Sequence, residues 1–201
     1  MSGDPETLRV YDARAADYAR VTATQAPDPI LSEFIAALPS GARVLDLGCG
    51  PGTDAGHMAA SGLQVEALDA SAAMVAQANA RTGVRARQAD FDTFVAEGHS
   101  AAYHGVWANF SLLHAPRAAL PGILTAIHTA LRPSGQVHIA VKTGHGSARD
   151  SLGRIYTYYQ PQDLSDLLRA TGLVPQSQVT GRDPGLDGVM AEWIAIRAQR
   201  G

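Results

Sequence analysis

The sequence predicts an α/β fold: a seven-stranded, mostly parallel sheet with an antiparallel edge, helices on both faces and a helical N-terminal extension. Three observations point there. Short apolar runs alternate with amphipathic stretches from residue 43 onward. A glycine-rich turn, Gly48-Cys49-Gly50-Pro51-Gly52, follows the first of those runs directly. The last two runs are separated only by Gly181-Arg182-Asp183-Pro184-Gly185, too short for a crossover helix, so they pair antiparallel.

The N-terminal extension carries two helix starts, Asp4-Pro5 and Asp28-Pro29, each a capping residue followed by proline in the first turn. Tyr11, Ala15, Tyr18 and Thr22 share one helical face. Ile30, Leu31, Phe34, Ile35 and Leu38 form an apolar stripe that ends at Pro39-Ser40-Gly41. Strands are expected at 44–47, 65–68, 84–88, 103–108, 136–141, 174–180 and 189–197. Helices are expected over 53–61, from Ser71 through Val75, around Leu120–Leu131, and around Leu164–Leu168 with Gly172 as its cap.

The chain has 201 residues, with 16 basic and 19 acidic side chains and a net charge of −3. That length fits one domain over 1–201, with a lid segment at 1–40 and a core at 41–201. The near balance of charge argues against nucleic acid or an anionic membrane as partner. The opening MSGDPETLRV lacks the basic-then-apolar layout of a signal peptide, and no apolar run is long enough to span a bilayer; a cytoplasmic location is expected. The lone Cys49 allows no internal disulfide, and the seven histidines show no metal-ligand spacing. No metal is expected, and the oligomeric state is not legible.

In open α/β sheets, ligands sit beyond the carboxyl ends of the strands, where strand order reverses. Asp69 ends the second strand, 21 positions after Gly48, where a carboxylate can accept both hydroxyls of a ribose. A dinucleotide turn wants G-x-G-x-x-G, yet position 53 is Thr and the spacing is G-x-G-x-G. Asp46, two residues before Gly48, would repel a pyrophosphate but suit an ammonium group. The charge logic favours S-adenosyl-L-methionine over NAD.

Val-Leu-Asp-Leu-Gly-Cys-Gly-Pro-Gly at 44–52 resembles the first motif of the class I S-adenosylmethionine-dependent methyltransferases. Ala-Leu-Asp-Ala-Ser at 67–71 with Met74, Gln-Ala-Asp-Phe at 88–91, and Asn109-Phe110-Ser111-Leu112-Leu113-His114 with Leu131-Arg132-Pro133-Ser134-Gly135 are similar to later motifs of its small-molecule branch. Ser134 stands where a glycine is usual. The resemblance implies a Rossmann-like core and a set of roles. Gly48, Gly50 and Asn109 would line the methionine part, with Asp46 near its ammonium group and Cys49 offering its turn N–H. Asp69 and Ala70 would meet the ribose, Met74 would pack on the adenine, and Asp90 and the Phe91 N–H would read its edge. Tyr11 and Tyr18 resemble the family's N-terminal lid.

Two further expectations concern chemistry. His114 lies just after the fourth strand, where a general base would face the transferred methyl; the alternative is that it packs the start of the helix near Pro116. Lys142, Arg149, Arg154 and Tyr158 follow the fifth strand in a glycine-bearing loop, so an acidic or polar small acceptor is expected there, unless these cations simply pair with Asp150 and Asp163 on the surface. The implied activity is methyl transfer to an O, N, S or C nucleophile. A cofactor-binding regulatory subunit and a nicotinamide oxidoreductase are the rivals.

Overall fold

The computed structural model describes residues 3–201, so the first two residues of the 1–40 segment lie outside the described residues. Helix α1 (Pro5–Val21) begins at Asp4, whose carboxylate accepts from the Thr7 N–H, and α2 (Pro29–Ala36) repeats the device with Asp28 and the Leu31 N–H. Arg14 leaves helical geometry (φ −117°, ψ 16°) and kinks α1 between Tyr11 and Tyr18.

The core then alternates as expected: β1 (Arg43–Leu47), α3 (Thr53–Ala60), β2 (Gln64–Asp69), α4 (Ala72–Asn79) and β3 (Arg85–Gln88). A short α5 (Phe91–Glu97) follows, then β4 (Tyr103–Asn109), α6 (Leu120–Ala130) and β5 (Leu131–Lys142). A hairpin of β6 (Ser147–Arg149) and β7 (Ile155–Thr157) precedes α7 (Pro161–Ala170), β8 (Leu173–Pro184) and β9 (Met190–Arg200). The sheet order is β3-β2-β1-β4-β5-β9-β8. The first five strands in that order run parallel, while β9 pairs antiparallel with both β5 and β8. The antiparallel strand is therefore one in from the edge.

Two elements were not expected. Helix α5 is only seven residues long, and Asp90 caps it by accepting from the Thr93 N–H at 2.8 Å and its hydroxyl at 2.7 Å. About two turns show too little periodicity to declare a helix. The β6–β7 hairpin replaces the open loop, with Ala148 opposite Tyr156 in its register.

Apolar side chains on alternate strand positions fill both faces of the sheet. Leu45, Leu47 and Val106 pack with Leu124 and Ile127 of α6, and Val44 and Trp107 with Phe34 of α2 and Met58 of α3. Among the described residues, no helix is long and apolar enough to cross a membrane.

Candidate active site

Strand order reverses between β1 and β4, and a cavity of about 270 Å³ opens there at the carboxyl ends of the strands. The turn after β1 forms its floor. Gly48 takes φ +82°, and a Cβ on it would fall 2.2 Å from the Ser111 Cβ, so only glycine lets β1 and the β4 exit approach this closely. Gly52 is similar, at φ +75° with Ala78 filling the space where its side chain would be. The Gly48 and Cys49 N–H groups both donate to the Leu68 carbonyl, at 2.8 and 2.9 Å. This corrects the expectation for Cys49. Its N–H is consumed by β2, and burial pushes its thiol well up, leaving an unreactive small residue that lines the cavity.

Three carboxylates surround this floor, Asp46 buried and Asp54 and Asp69 half-buried. Asp69 accepts from the Gly50 N–H through Oδ2 and the Ser71 N–H through Oδ1, both at 2.8 Å, which leaves one lone pair free on each oxygen. Asp46 is buried, and its Oδ2 has no hydrogen-bond partner. Asp54 accepts from the Trp107 indole N–H at 2.8 Å and the Asn109 amide at 3.2 Å. Desolvation raises the pKa of all three, most strongly for Asp46, where the charges of Asp54 and Asp69 add to it. A cation bound here would relieve that.

Further along, Ala70, Met74, Asp90 and Phe91 line the same cavity. Met74 is 1% exposed. Phe91 is the first residue of α5, so its N–H has no intrahelical carbonyl. Oδ1 of Asp90 is occupied by its capping bonds.

Helix α1 crosses over the cavity and is tied down on both sides. On one, Asp12 accepts from the Ser71 hydroxyl at 2.6 Å at the start of α4. On the other, Arg149 of the hairpin makes a bidentate pair with Asp4, both bonds 2.8 Å, and the Ile155 N–H donates to the Thr7 hydroxyl. Between these ties, Tyr11 and Tyr18 pack edge to face, with centroids 5.7 Å apart.

His114 sits in a 3-10 turn (Leu112–His114). Its Nδ1 lies 2.8 Å from the Ile155 carbonyl, which can only accept, so Nδ1 carries the proton. Its Nε2 therefore accepts from the Tyr11 hydroxyl at 2.8 Å. Burial lowers the pKa to about 4, so the imidazole is neutral at neutral pH and a weaker base than its unperturbed form.

The expected substrate loop is built differently. Among the described residues, none of Lys142, Arg154 and Tyr158 lines the cavity. Arg154 is 2% exposed and donates to Asp150 Oδ2 at 2.8 and 2.5 Å; its remaining amino group reaches the Tyr11 hydroxyl at 3.4 Å from behind. Lys142 rests on the Tyr156 ring, 4.0 Å from its centroid. The Tyr158 carbonyl accepts from Arg117, and its ring covers Gly144. Pairing of Arg154 with Asp150 was the alternative weighed from sequence, but the pair is buried, not on the surface.

Several lining residues escaped sequence reasoning: Leu8, Asp54, Phe110 and Ser111. Asp54 reads as an ordinary acidic residue in the first turn of a helix. Phe110 adopts φ +52°, a strained conformation that no sequence signal announces. Ser111 donates to the Leu47 carbonyl at 2.6 Å, filling the space that Gly48 leaves open.

Comparison with known proteins agrees with this architecture. Residues 18–178 match the family described as "Methyltransferase domain". A malonyl-[acyl-carrier protein] O-methyltransferase of Erwinia billingiae (strain Eb661) is 33% identical over 124 residues, 62% of this chain. The matched stretch spans about half (46%) of that relative's length. The crystal structure of Burkholderia thailandensis 1,6-didemethyltoxoflavin-N1-methyltransferase, with bound 1,6-didemethyltoxoflavin and S-adenosylhomocysteine, superposes with a TM-score of 0.76 at 24% identity, covering 97% of this chain and 87% of that one. The [4+2]-cyclase SpnF shares the fold as well, with a TM-score of 0.73 at 17% identity over 100% of this chain and 99% of its own. With four-fifths of its length inside the family match, the chain belongs to the methyltransferase domain family, in its class I form with S-adenosylmethionine as cofactor.

Proposed function

We propose that this chain transfers the methyl group of S-adenosylmethionine to an O, N, S or C nucleophile of a small molecule. The observation that carries this is the unpartnered Asp46 Oδ2, a buried acceptor beside Asp54 and Asp69. An orphaned carboxylate oxygen costs stability unless a ligand completes it, and an ammonium group does so. When bound, S-adenosylmethionine supplies a methyl group already activated on a sulfonium, so the protein needs no nucleophile of its own.

The chain's residues then divide the remaining work. Asp46 holds the ammonium group, with Gly48, Gly50 and Asn109 around the methionine part. Asp69 takes the ribose hydroxyls on its two free lone pairs, beside Ala70. Met74, Asp90 and Phe91 receive the adenine. The segment 1–40 acts as a lid: α1 excludes water from the cavity, and Tyr11 and Tyr18 form its inner face. Tyr11 Oη accepts from the acceptor's N–H or O–H on its remaining lone pair and keeps its own proton on His114 Nε2. The pair can take up a proton as the new bond forms without either side chain ionising beforehand.

Calorimetry with S-adenosylhomocysteine and NADH tests the cofactor assignment. Binding of the first alone is expected, and binding of NADH would favour the oxidoreductase rival. Release of S-adenosylhomocysteine from S-adenosylmethionine with a metabolite panel tests catalysis; binding without turnover on any member would favour the regulatory-subunit rival.

A further inference from the structure

Resting on that methyl-transfer assignment, we infer that the acceptor is a small, flat, uncharged molecule rather than an acid, taken up in a chamber of the cavity walled by Leu8, Tyr11, Phe110 and His114. The expectation of an acidic acceptor drew on Lys142, Arg149 and Arg154. Each of these cations is committed elsewhere: Arg154 to Asp150, Arg149 to Asp4 and Glu6, Lys142 to the Tyr156 ring.

The cavity itself has the opposite character. Among its described lining residues are five aspartates (Asp4, Asp46, Asp54, Asp69, Asp90) and not one lysine or arginine. Asp4 is neutralised by Arg149. The cofactor brings one net positive charge to Asp46, Asp54 and Asp69, so it does not reverse the field of these carboxylates. An acceptor carboxylate would lose its water next to like charge, with no counter-ion to replace it.

Hydrogen-bond polarity leads to the same result. Three of the cavity's hydroxyls, those of Thr7, Ser111 and Tyr11, direct their protons into the protein, while Tyr18 lies over Gly50 on the cofactor side. Thr7 donates to Asp4 at 2.8 Å, Ser111 to the Leu47 carbonyl at 2.6 Å, and Tyr11 to His114 Nε2 at 2.8 Å. What faces the chamber is acceptor capacity, chiefly the free lone pair of Tyr11 Oη. An N–H or O–H of a neutral molecule satisfies it, whereas an anion brings only acceptors.

Shape supplies the third argument. Phe110 is held at φ +52°, where a bulky side chain rests only if its surroundings over-determine it; its N–H donates to the Ala140 carbonyl at 3.0 Å and its ring packs edge-on against Trp193. Leu8, on α1, completes an apolar wall suited to a ring.

The test uses the whole 201-residue chain saturated with S-adenosylhomocysteine and matched pairs: nicotinamide and nicotinate, 4-hydroxybenzamide and 4-hydroxybenzoate, indole and indole-3-carboxylate. Binding is read by saturation-transfer NMR and titration at pH 7.5. The uncharged member of at least one pair is expected to bind roughly tenfold or more tightly than its acid. Leu8→Arg, which adds a cation to the wall, is expected to reverse that preference while S-adenosylhomocysteine still binds. An acid that binds the wild type as well as its neutral partner overturns the inference, as does a panel in which no uncharged member binds. A Leu8→Arg protein that still rejects the acids overturns the position of the chamber. If S-adenosylhomocysteine itself does not bind, the methyl-transfer assignment falls, and this inference with it.

Discussion

The turn after β1 and the hairpin after β5 lie on the same side of the sheet, yet they use their charged side chains in opposite ways. Around the turn, Arg81 donates to the Pro51 carbonyl and the Thr53 hydroxyl, so among the described residues Asp46, Asp54 and Asp69 gather without an ion pair, and one carboxylate oxygen has no partner at all. In the hairpin, Arg149 and Arg154 are fully engaged with Asp4, Glu6 and Asp150. The first arrangement is unfavourable until a ligand arrives; the second is complete without one. Incomplete electrostatics marks a binding site more reliably than charge alone, because a paired charge has little left to offer a ligand.

The largest effect should come from breaking the complete side. In Arg154→Ala the Asp150 carboxylate, whose side chain is 5% exposed, is left buried without its counter-ion. A loss of about 3–5 kcal/mol of stability is expected, read as a shifted denaturant midpoint. If the midpoint hardly moves while turnover collapses, Arg154 belongs to the substrate site after all and the contrast between the two regions fails.

Asp69→Ala comes next. It should weaken S-adenosylhomocysteine by about 2–3 kcal/mol, more than tenfold, since two hydroxyls lose a charged acceptor and the Gly50 N–H loses its partner. Asp69→Asn keeps the side chain's shape, and the difference between the two isolates the charge. Titration calorimetry that finds wild-type affinity in both would remove Asp69 from the ribose.

Asp46→Asn should act in two directions at once. In the cofactor-free protein the raised Asp46 pKa means that the folded state binds more protons than the unfolded chain above the ordinary carboxylate range. Its contribution to stability therefore falls as pH rises from about 4. The asparagine variant should lose that slope and gain about 1–2 kcal/mol near neutral pH, while its affinity for S-adenosylhomocysteine drops by a similar amount. Melting curves of both proteins between pH 4 and 8 check the sign. Parallel curves would mean that Asp46 is not the strained group.

These cases also separate what was legible in the sequence from what was not. The strands, the glycine turn and the spacing from Gly48 to Asp69 follow from local rules, because close backbone approach demands glycine at a fixed offset from a strand end. The partners of Arg154 and Arg149 lie four residues away and at the far end of the chain, and nothing local distinguishes a strut from a ligand grip. Cys49 shows a finer limit: its place in the turn was readable, but the direction of its N–H depends on how β2 is registered against β1. Helix α5 was missed for want of length, and Phe110 because backbone strain leaves no compositional trace.

The smallest effect probes whether the hairpin fastens the lid. Arg149 is exposed, so its bonds to Asp4 and Glu6 are screened by solvent and salt, and the melting temperature of Arg149→Ala should hardly change. The Ile155–Thr7, Tyr11–His114 and Ser71–Asp12 bonds all remain to hold α1. What should change is the rate at which α1 opens locally. Hydrogen exchange over residues 5–12 is expected to quicken in the cofactor-free variant, and dissociation of S-adenosylhomocysteine with it. Raising the salt concentration should bring the wild type towards the variant, since it weakens the same bonds. Asp12→Ala, which cuts the tie to α4, should quicken exchange independently of salt, because the bond it removes comes from a neutral serine hydroxyl. Identical exchange over 5–12 in the wild type and Arg149→Ala would show that the Arg149–Asp4 pair does not fasten α1, leaving the hairpin's hold to the Ile155–Thr7 bond.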